Sequence, residues 1–274
     1  MARWRLDGTT VLITGASSGI GEALARQLAS RAEALVLVAR RVHRLEALAQ
    51  ELCAKRPELR VHVLPADLAD RGSTDAMLEA LERRVGAVDV LVNNAGFGDF
   101  GLFERCDWSK VERMIALNAT AVAYLTRRLL PAMVARGRGG LLFVSSGFGL
   151  QWLPGFAAYI GTKHFVTGFA EALAAELRPA GIRVTQICPG PVDTEFESHV
   201  GNFTGRRPPR ALVISAERCA RIAIRALERG RPLVVPGLAM RLLLALGALT
   251  PRAVLRLLYA PLARWLRRAQ PVEP

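Results

Sequence analysis

Apolar and polar positions follow two periods along the first two-thirds of the chain. Short apolar, β-branched runs at residues 10–14, 35–38, 60–64, 88–92, 141–144 and 183–187 have the length and composition of strands. Between them, apolar residues recur at helical spacing over residues 19–30, 43–54, 73–84, 108–136 and 158–178. After a loop, the pattern predicts a helix over 216–228 and a last strand over 232–235. Strands that alternate with helices require crossover connections. The expected fold is therefore α/β: a doubly wound parallel sheet of about seven strands with helices on both faces. No internal repeat and no long linker divides the sequence. The expected organisation is one domain over residues 1–236 and a helical appendage over 237–274.

The chemistry-bearing residues gather where these strands end. Thr14, Gly15, Ala16, Ser17, Ser18, Gly19, Ile20 and Gly21 form a glycine-rich turn between the first strand and its helix. Such a turn lets the backbone approach a pyrophosphate, which rests on the open N–H groups of the helix start. The second strand ends in Ala39, Arg40 and Arg41, where a carboxylate would favour a ribose diol. Arginine suits a 2′-phosphate instead, so NADP(H) is expected over NAD(H). Arg40 is assigned to the phosphate, and Arg41 fits better a solvated helix start. Asp67, after the third strand, is either an acceptor for an adenine amino group or a helix-start cap. Asn93, Asn94, Ala95 and Gly96 follow the fourth strand, and their small size lets a cofactor lie against the backbone. Ser145 and Ser146 end the fifth strand. Pro189, Gly190, Pro191, Val192, Asp193 and Thr194 follow the sixth.

Tyr159 and Lys163 stand four residues apart in a chain with only three lysines and 34 arginines. At that spacing on a helix both side chains share a face. A nearby cation would draw a tyrosine pKa down from about 10 and make it a usable acid or base.

In this order, the motifs Thr14-Gly-x-x-x-Gly-Ile-Gly21, Asn93-Asn-Ala-Gly96, Asn118, Ser146, Tyr159-x-x-x-Lys163 and Pro189-Gly190 resemble those of the short-chain dehydrogenase/reductase family over about residues 8–236. The resemblance implies a Rossmann-type fold and a nicotinamide-dependent oxidoreductase. It implies that Tyr159 is the general acid/base and that Lys163 holds the nicotinamide ribose. Ser146 would bond the substrate oxygen, and Asn118 would hold a water that passes protons to Lys163. Val192 and Thr194 would contact the nicotinamide carboxamide. The alternative is a non-catalytic NADP(H)-binding scaffold or sensor.

Large apolar residues cluster near these motifs: Phe97, Phe100, Phe148, Leu150, Trp152, Phe156 and Phe196. Their company suggests a hydrophobic ketone, aldehyde or alcohol as substrate, with Trp152 among its contacts. The segment 195–210 reads as a lid over that site.

The net charge of +13 changes the picture only at the C-terminus. Residues 203–274 carry +11 of it. A nucleic-acid reader would spread basic residues over its folded body, so no nucleic-acid partner is expected. From Thr250 and Pro251 a helix is expected, with Arg252, Arg256, Arg264, Arg267 and Arg268 on one side. Val254, Leu255, Leu258, Tyr259, Leu262, Trp265 and Leu266 fall on the other, and Pro261 is expected to kink or split the helix. Such a helix over 250–268 suits an anionic membrane surface, packing on its own domain, or packing on a second subunit. A homo-oligomer is expected from the resemblance. No leader and no spanning helix is read from the sequence, which gives a cytoplasmic protein or one held at the inner face of a membrane. Four widely spaced cysteines match no metal site, and none is expected.

Overall fold

The computed structural model describes residues 4–196, 200–201 and 208–270. Seven strands form one parallel sheet: β1 (Thr10–Thr14), β2 (Ala34–Ala39), β3 (Arg60–Pro65), β4 (Val90–Asn93), β5 (Gly139–Val144), β6 (Ile182–Ile187) and β9 (Leu233–Val234). Their order is β3-β2-β1-β4-β5-β6-β9. Two short strands outside this sheet, β7 (Val192–Asp193) and β8 (Ile214–Ser215), pair in parallel and were not foreseen from the sequence.

The central strands β1, β4 and β5 are buried along their whole length. That is why they read as continuous apolar runs rather than alternating ones. Helices α1 (Gly19–Leu28), α2 (Val42–Lys55) and α7 (Ala216–Glu228) pack on one face. Helices α3 (Arg71–Arg84), α5 (Ala121–Ala135) and α6 (Ala157–Leu177) cover the other. Helix α4 (Trp108–Ile115) runs into α5 through a π-helical turn, Ala116–Thr120.

The chain leaves β1 toward one sheet edge through β2 and β3, then returns to start β4 on the other side. The order reverses between β1 and β4, and a crevice opens beyond the carboxyl ends of those strands.

The C-terminal region departs most from expectation. It forms two helices, α8 (Leu238–Leu249) and α9 (Arg252–Ala269), bent by 117° at their junction. Both fall within the helical appendage expected over 237–274. Helix α9 is unbroken, with Pro261 inside it, so this proline does not split the helix.

Both helices pack on their own domain. The Leu102 N–H donates to Gln270 Oε1 (2.7 Å), and Arg105 donates to the Gln270 carbonyl (2.6 Å). Arg267 pairs with Glu104 at 2.8 Å. Of the apolar stripe on α9, Leu255 and Leu266 are buried.

Candidate active site

A cavity of about 670 Å³ occupies the crevice at the carboxyl ends of the strands. Gly15, Ser17, Ser18, Gly19 and Ile20 line one end of it. Gly15 has φ +67°, and a Cβ there would lie 2.8 Å from Asn94 Nδ2 and 2.9 Å from Ala95 Cα. Only glycine fits that conformation in that space. Gly21 is absent from the lining. A Cβ on it would overlap the Gly15 carbonyl, so its part is close packing of turn on helix.

Ser18 flanks α1 without capping it by its side chain, which leaves the first N–H groups of the helix facing the cavity end. A tight glycine turn followed by an uncapped helix start fits a pyrophosphate.

The Asn94 segment is sewn to this turn. Thr14 Oγ1 accepts from the N–H groups of Asn94 (2.9 Å) and Ala95 (3.0 Å). Asn94 Nδ2 donates to the Thr14 carbonyl at 2.8 Å. Asn94, Ala95 and Gly96 all line the cavity.

Arg40, Arg41 and Asp67 also line the cavity, beside the turn. The two arginines differ in how firmly they are held. Arg41 is the one held in place: it donates to Ser17 Oγ (3.1 Å) and Ser18 Oγ (2.7 Å) and pairs with Glu195 at 2.8 Å. Arg40 is exposed. Sequence spacing cannot tell which of two adjacent arginines turns inward at a strand end. Asp67 accepts from Arg113 at 2.6 Å and from the Ala69 N–H at 3.1 Å, and the cap of α3 is Asp70.

At the other end stand Ser146, Tyr159 and Lys163. Their positions follow from how α6 is pinned to β5. Ser145 Oγ bonds the Lys163 carbonyl (3.2 Å) and Thr167 Oγ1 (2.9 Å), while Lys163 Nζ donates to the Val144 carbonyl at 2.9 Å. Tyr159 and Lys163 lie on the buried face of α6. Ser146 Oγ accepts from the Phe148 N–H at 3.2 Å, and its hydroxyl bonds with Tyr159.

Burial pushes the Tyr159 phenol up to about 12, against a smaller opposing hydrogen bond with Ser146. The same burial pushes Lys163 down to about 8. The expected lowering of the tyrosine by the lysine is absent. The ammonium bonds a carbonyl and lies 5.8 Å from the ring centroid, so desolvation outweighs it.

Asn118 is buried and does not line the cavity. It sits on the π-helical turn, donates to the Phe97 carbonyl (2.8 Å) and to Thr162 Oγ1 (3.2 Å), and accepts from the Phe97 N–H (3.1 Å). It thus clamps the loop after Gly96 to α6. Pro189, Gly190, Val192 and Thr194 complete the wall. Thr194 packs against Gly19, where a Cβ would lie 3.0 Å from its methyl group.

Apart from Glu195, the rest of the lining is apolar. The rings of Phe100 and Phe156 meet at 4.6 Å and those of Phe148 and Phe156 at 4.9 Å, both tilted, and Phe196 lies 5.7 Å from Tyr159. Phe97, Leu153, Val200 and Met240 also line the cavity, but Trp152 and Leu150 do not. Trp152, expected among the substrate contacts, instead meets Tyr259 of α9 edge-on at 4.9 Å. The expected lid falls partly outside the described residues, at 197–199 and 202–207.

The family model for short chain dehydrogenases matches residues 9–204. The chain belongs to the short-chain dehydrogenase/reductase family. The human "Dehydrogenase/reductase SDR family member 7" is 36% identical over 230 residues, 81% of this chain and 68% of that protein. Among solved structures, a short-chain dehydrogenase from Sphingobium yanoikuyae in complex with NADPH is 31% identical, with TM-score 0.76 over 97% of this chain and 99% of that one. A bulky-bulky ketone specific alcohol dehydrogenase from Comamonas testosteroni is 27% identical, with TM-score 0.73 over 97% and 95%. As a short-chain dehydrogenase/reductase, the chain is an oxidoreductase that acts on CH–OH donors with a nicotinamide dinucleotide.

Proposed function

We propose that this short-chain dehydrogenase/reductase interconverts a bulky hydrophobic ketone or aldehyde and its alcohol, with NADP(H) as cofactor. Residues 1–236 are the catalytic unit in this reading, and 237–274 its appendage. The observation that carries it is the juxtaposition of Ser146 and Tyr159 hydroxyls with a wall of phenylalanines in one cavity. The alcohol dehydrogenase specific for bulky ketones, similar along nearly the whole chain, supports the substrate class.

A bound nicotinamide dinucleotide would supply or take up the hydride. The glycine turn and the start of α1 would hold its pyrophosphate. Pro189, Gly190, Val192 and Thr194 would flank its nicotinamide end. In reduction, negative charge grows on the substrate oxygen. Ser146 and Tyr159 donate hydrogen bonds to that oxygen, and Tyr159 gives it the proton. Lys163 holds the nicotinamide ribose. Asn118 keeps the Phe97 loop against α6 and holds the water through which Lys163 regains protons.

Arg41 carries the choice of NADP(H), since its guanidinium is already oriented by Ser17 and Ser18. The NADPH complex of the Sphingobium relative is consistent with this choice. Arg41→Ala is expected to weaken NADPH binding about tenfold, one charge-assisted contact, and to leave NADH unaffected. Arg40→Ala should do less. Titration of each variant with both cofactors checks this, and equal losses for NADPH and NADH would refute it.

The substrate class is tested by following NADPH oxidation with a panel of ketones graded in size. Turnover is expected to favour bulky apolar ketones over polyols and sugars of equal size. A preference for polar substrates would overturn the proposal. Self-association, common in the family, is part of the same reading.

A further inference from the structure

The outer surface of the C-terminal helices is the largest feature that catalysis leaves unexplained. Helix α8 turns Met240, Leu244 and Gly247 to the body. Met240 and Leu244 lie against Gly147, and Met240 also against Gly190. On the opposite side of the same helix, Leu238, Leu242, Leu246 and Leu249 face outward, with Leu246 65% and Leu249 82% exposed. The first turns of α9 continue this surface with Val254, Leu257 and Leu258, of which Leu257 is 74% exposed. So many exposed leucines on two consecutive helices mark a surface built to be covered.

We propose that this face docks on an anionic lipid bilayer, lying in its interface. Three observations select that partner. First, from residue 229 to 272 the chain has eight arginines and no acidic residue. Second, among the described residues Arg267 is the tail arginine held in an ion pair, and Arg241, Arg252, Arg256, Arg264 and Arg268 have none there. A second copy seated symmetrically on this face would set these arginines against their own equivalents, with no carboxylate from residues 229–272 of either copy to neutralise them. Anionic headgroups supply the missing charge while the leucines enter the acyl boundary. Third, no single helix among the described residues is long and apolar enough to cross a membrane, and the pair is bent by 117°. That shape suits a surface-bound wedge.

The inward side of α8 ties this surface to the site. Met240 lines the cavity, so the helix that touches lipid also walls the space for the substrate. The docking face therefore centres on α8 and the start of α9, not on residues 250–268 alone.

Sedimentation of the full chain with phosphatidylcholine vesicles, alone or mixed with phosphatidylglycerol, tests the proposal. Binding is expected to the mixed vesicles, with about tenfold weaker partition to phosphatidylcholine alone or at high salt. The double variant Leu246→Glu/Leu249→Glu should lose at least about tenfold in partition, with its circular dichroism and its turnover of a water-soluble ketone unchanged. Should that variant fail to fold, Arg252→Gln/Arg256→Gln, which keeps the leucines, should reduce the dependence on anionic lipid. No sedimentation of the parent protein, or full sedimentation of both variants, overturns the proposal. A dimer of the parent that the leucine variant converts to monomer, without vesicle binding, overturns it in favour of a second copy. Vesicle binding does not depend on turnover, so failure of the catalytic reading and failure of this one are distinguishable.

Discussion

Replacing Tyr159 by phenylalanine is expected to lower kcat for ketone reduction about 10³-fold, with NADPH binding unchanged. The substitution removes one hydroxyl from a buried ring that is 6% exposed and packs against Phe148, Phe156 and Phe196. The ring and its packing remain, so the fold is expected to survive. What goes, in the proposed mechanism, is the proton donor and one of two hydrogen bonds to the substrate oxygen. General acid catalysis contributes about 10²–10⁴ and one such donor about 10²–10³, and the two overlap because the same hydroxyl does both. With the phenol pushed up to about 12, Tyr159 is fully protonated near pH 7 and ready to act as an acid. Reduction should therefore show no loss from this group until the pH approaches 12. Alcohol oxidation needs the phenolate, and its rate should climb about tenfold per pH unit below that value, until another step limits it. Stopped-flow turnover and NADPH fluorescence titration provide the two readouts. A variant that keeps kcat within about tenfold removes Tyr159 from the proposed role.

Much of this site was legible because each strand end carries its own local signature. Ser146 and the Tyr159–Lys163 pair are set by contacts within one strand–turn–helix unit, and the glycine turn and Asn94 to Gly96 are each recognisable as short local motifs although they bond to one another across neighbouring strands. A parallel sheet then brings all such units to one edge. The misreadings lie where position depends on distant segments. Trp152 looked like a pocket residue because it stands six residues from Ser146. Its partner, Tyr259, is more than a hundred residues away, and nothing local reports that contact. Met240 was missed for the same reason, since only the docking of α8 brings it to Gly190. That Arg41 rather than Arg40 pairs with Glu195 could not be read either, since the loop after β7 brings that carboxylate close. The tyrosine shift was misjudged in sign. Spacing shows that a cation is near, but not that both groups are buried or that the ammonium already bonds the Val144 carbonyl.

Substituting Lys163 by methionine should separate function from stability. The activity loss is expected to be about 10², since the side chain proposed to hold the nicotinamide ribose is gone. Stability should move the other way at neutral pH. Burial has pushed Lys163 from 10.5 down to about 8, so the folded state disfavours its charge. A shift of that size corresponds to roughly 3 kcal/mol of destabilisation while the group is protonated in both states. Methionine removes this cost and fills similar space. It also leaves the Val144 carbonyl without its 2.9 Å hydrogen bond, which costs about 1–3 kcal/mol. A net gain of about 1 kcal/mol at pH 7 is the expected balance, about 2–4 °C in Tm.

The sign follows from linkage. Between about 8 and 10.5 the unfolded state binds more protons at Lys163 than the folded state. The parent protein therefore gains stability across that window as pH rises. The methionine variant has no such group and does not gain. Its advantage should be full below pH 8, shrink above it, change sign near about pH 9 and be fully reversed above 10.5, where only the lost hydrogen bond to Val144 remains. Tyr159 titrates in both proteins and largely cancels from the difference. Thermal unfolding of the two proteins side by side across pH 6–11 reads the crossing directly, since the predicted shift lies in this range (about 8 to 10.5). Parallel curves would mean that Lys163 keeps its ordinary pKa in the fold. A lysine that costs stability below pH 8 and is retained in a chain otherwise rich in arginine is then explained by its work in the site. Its compact, rotatable ammonium can bond ribose hydroxyls and pass a proton, which a guanidinium cannot do at this pH.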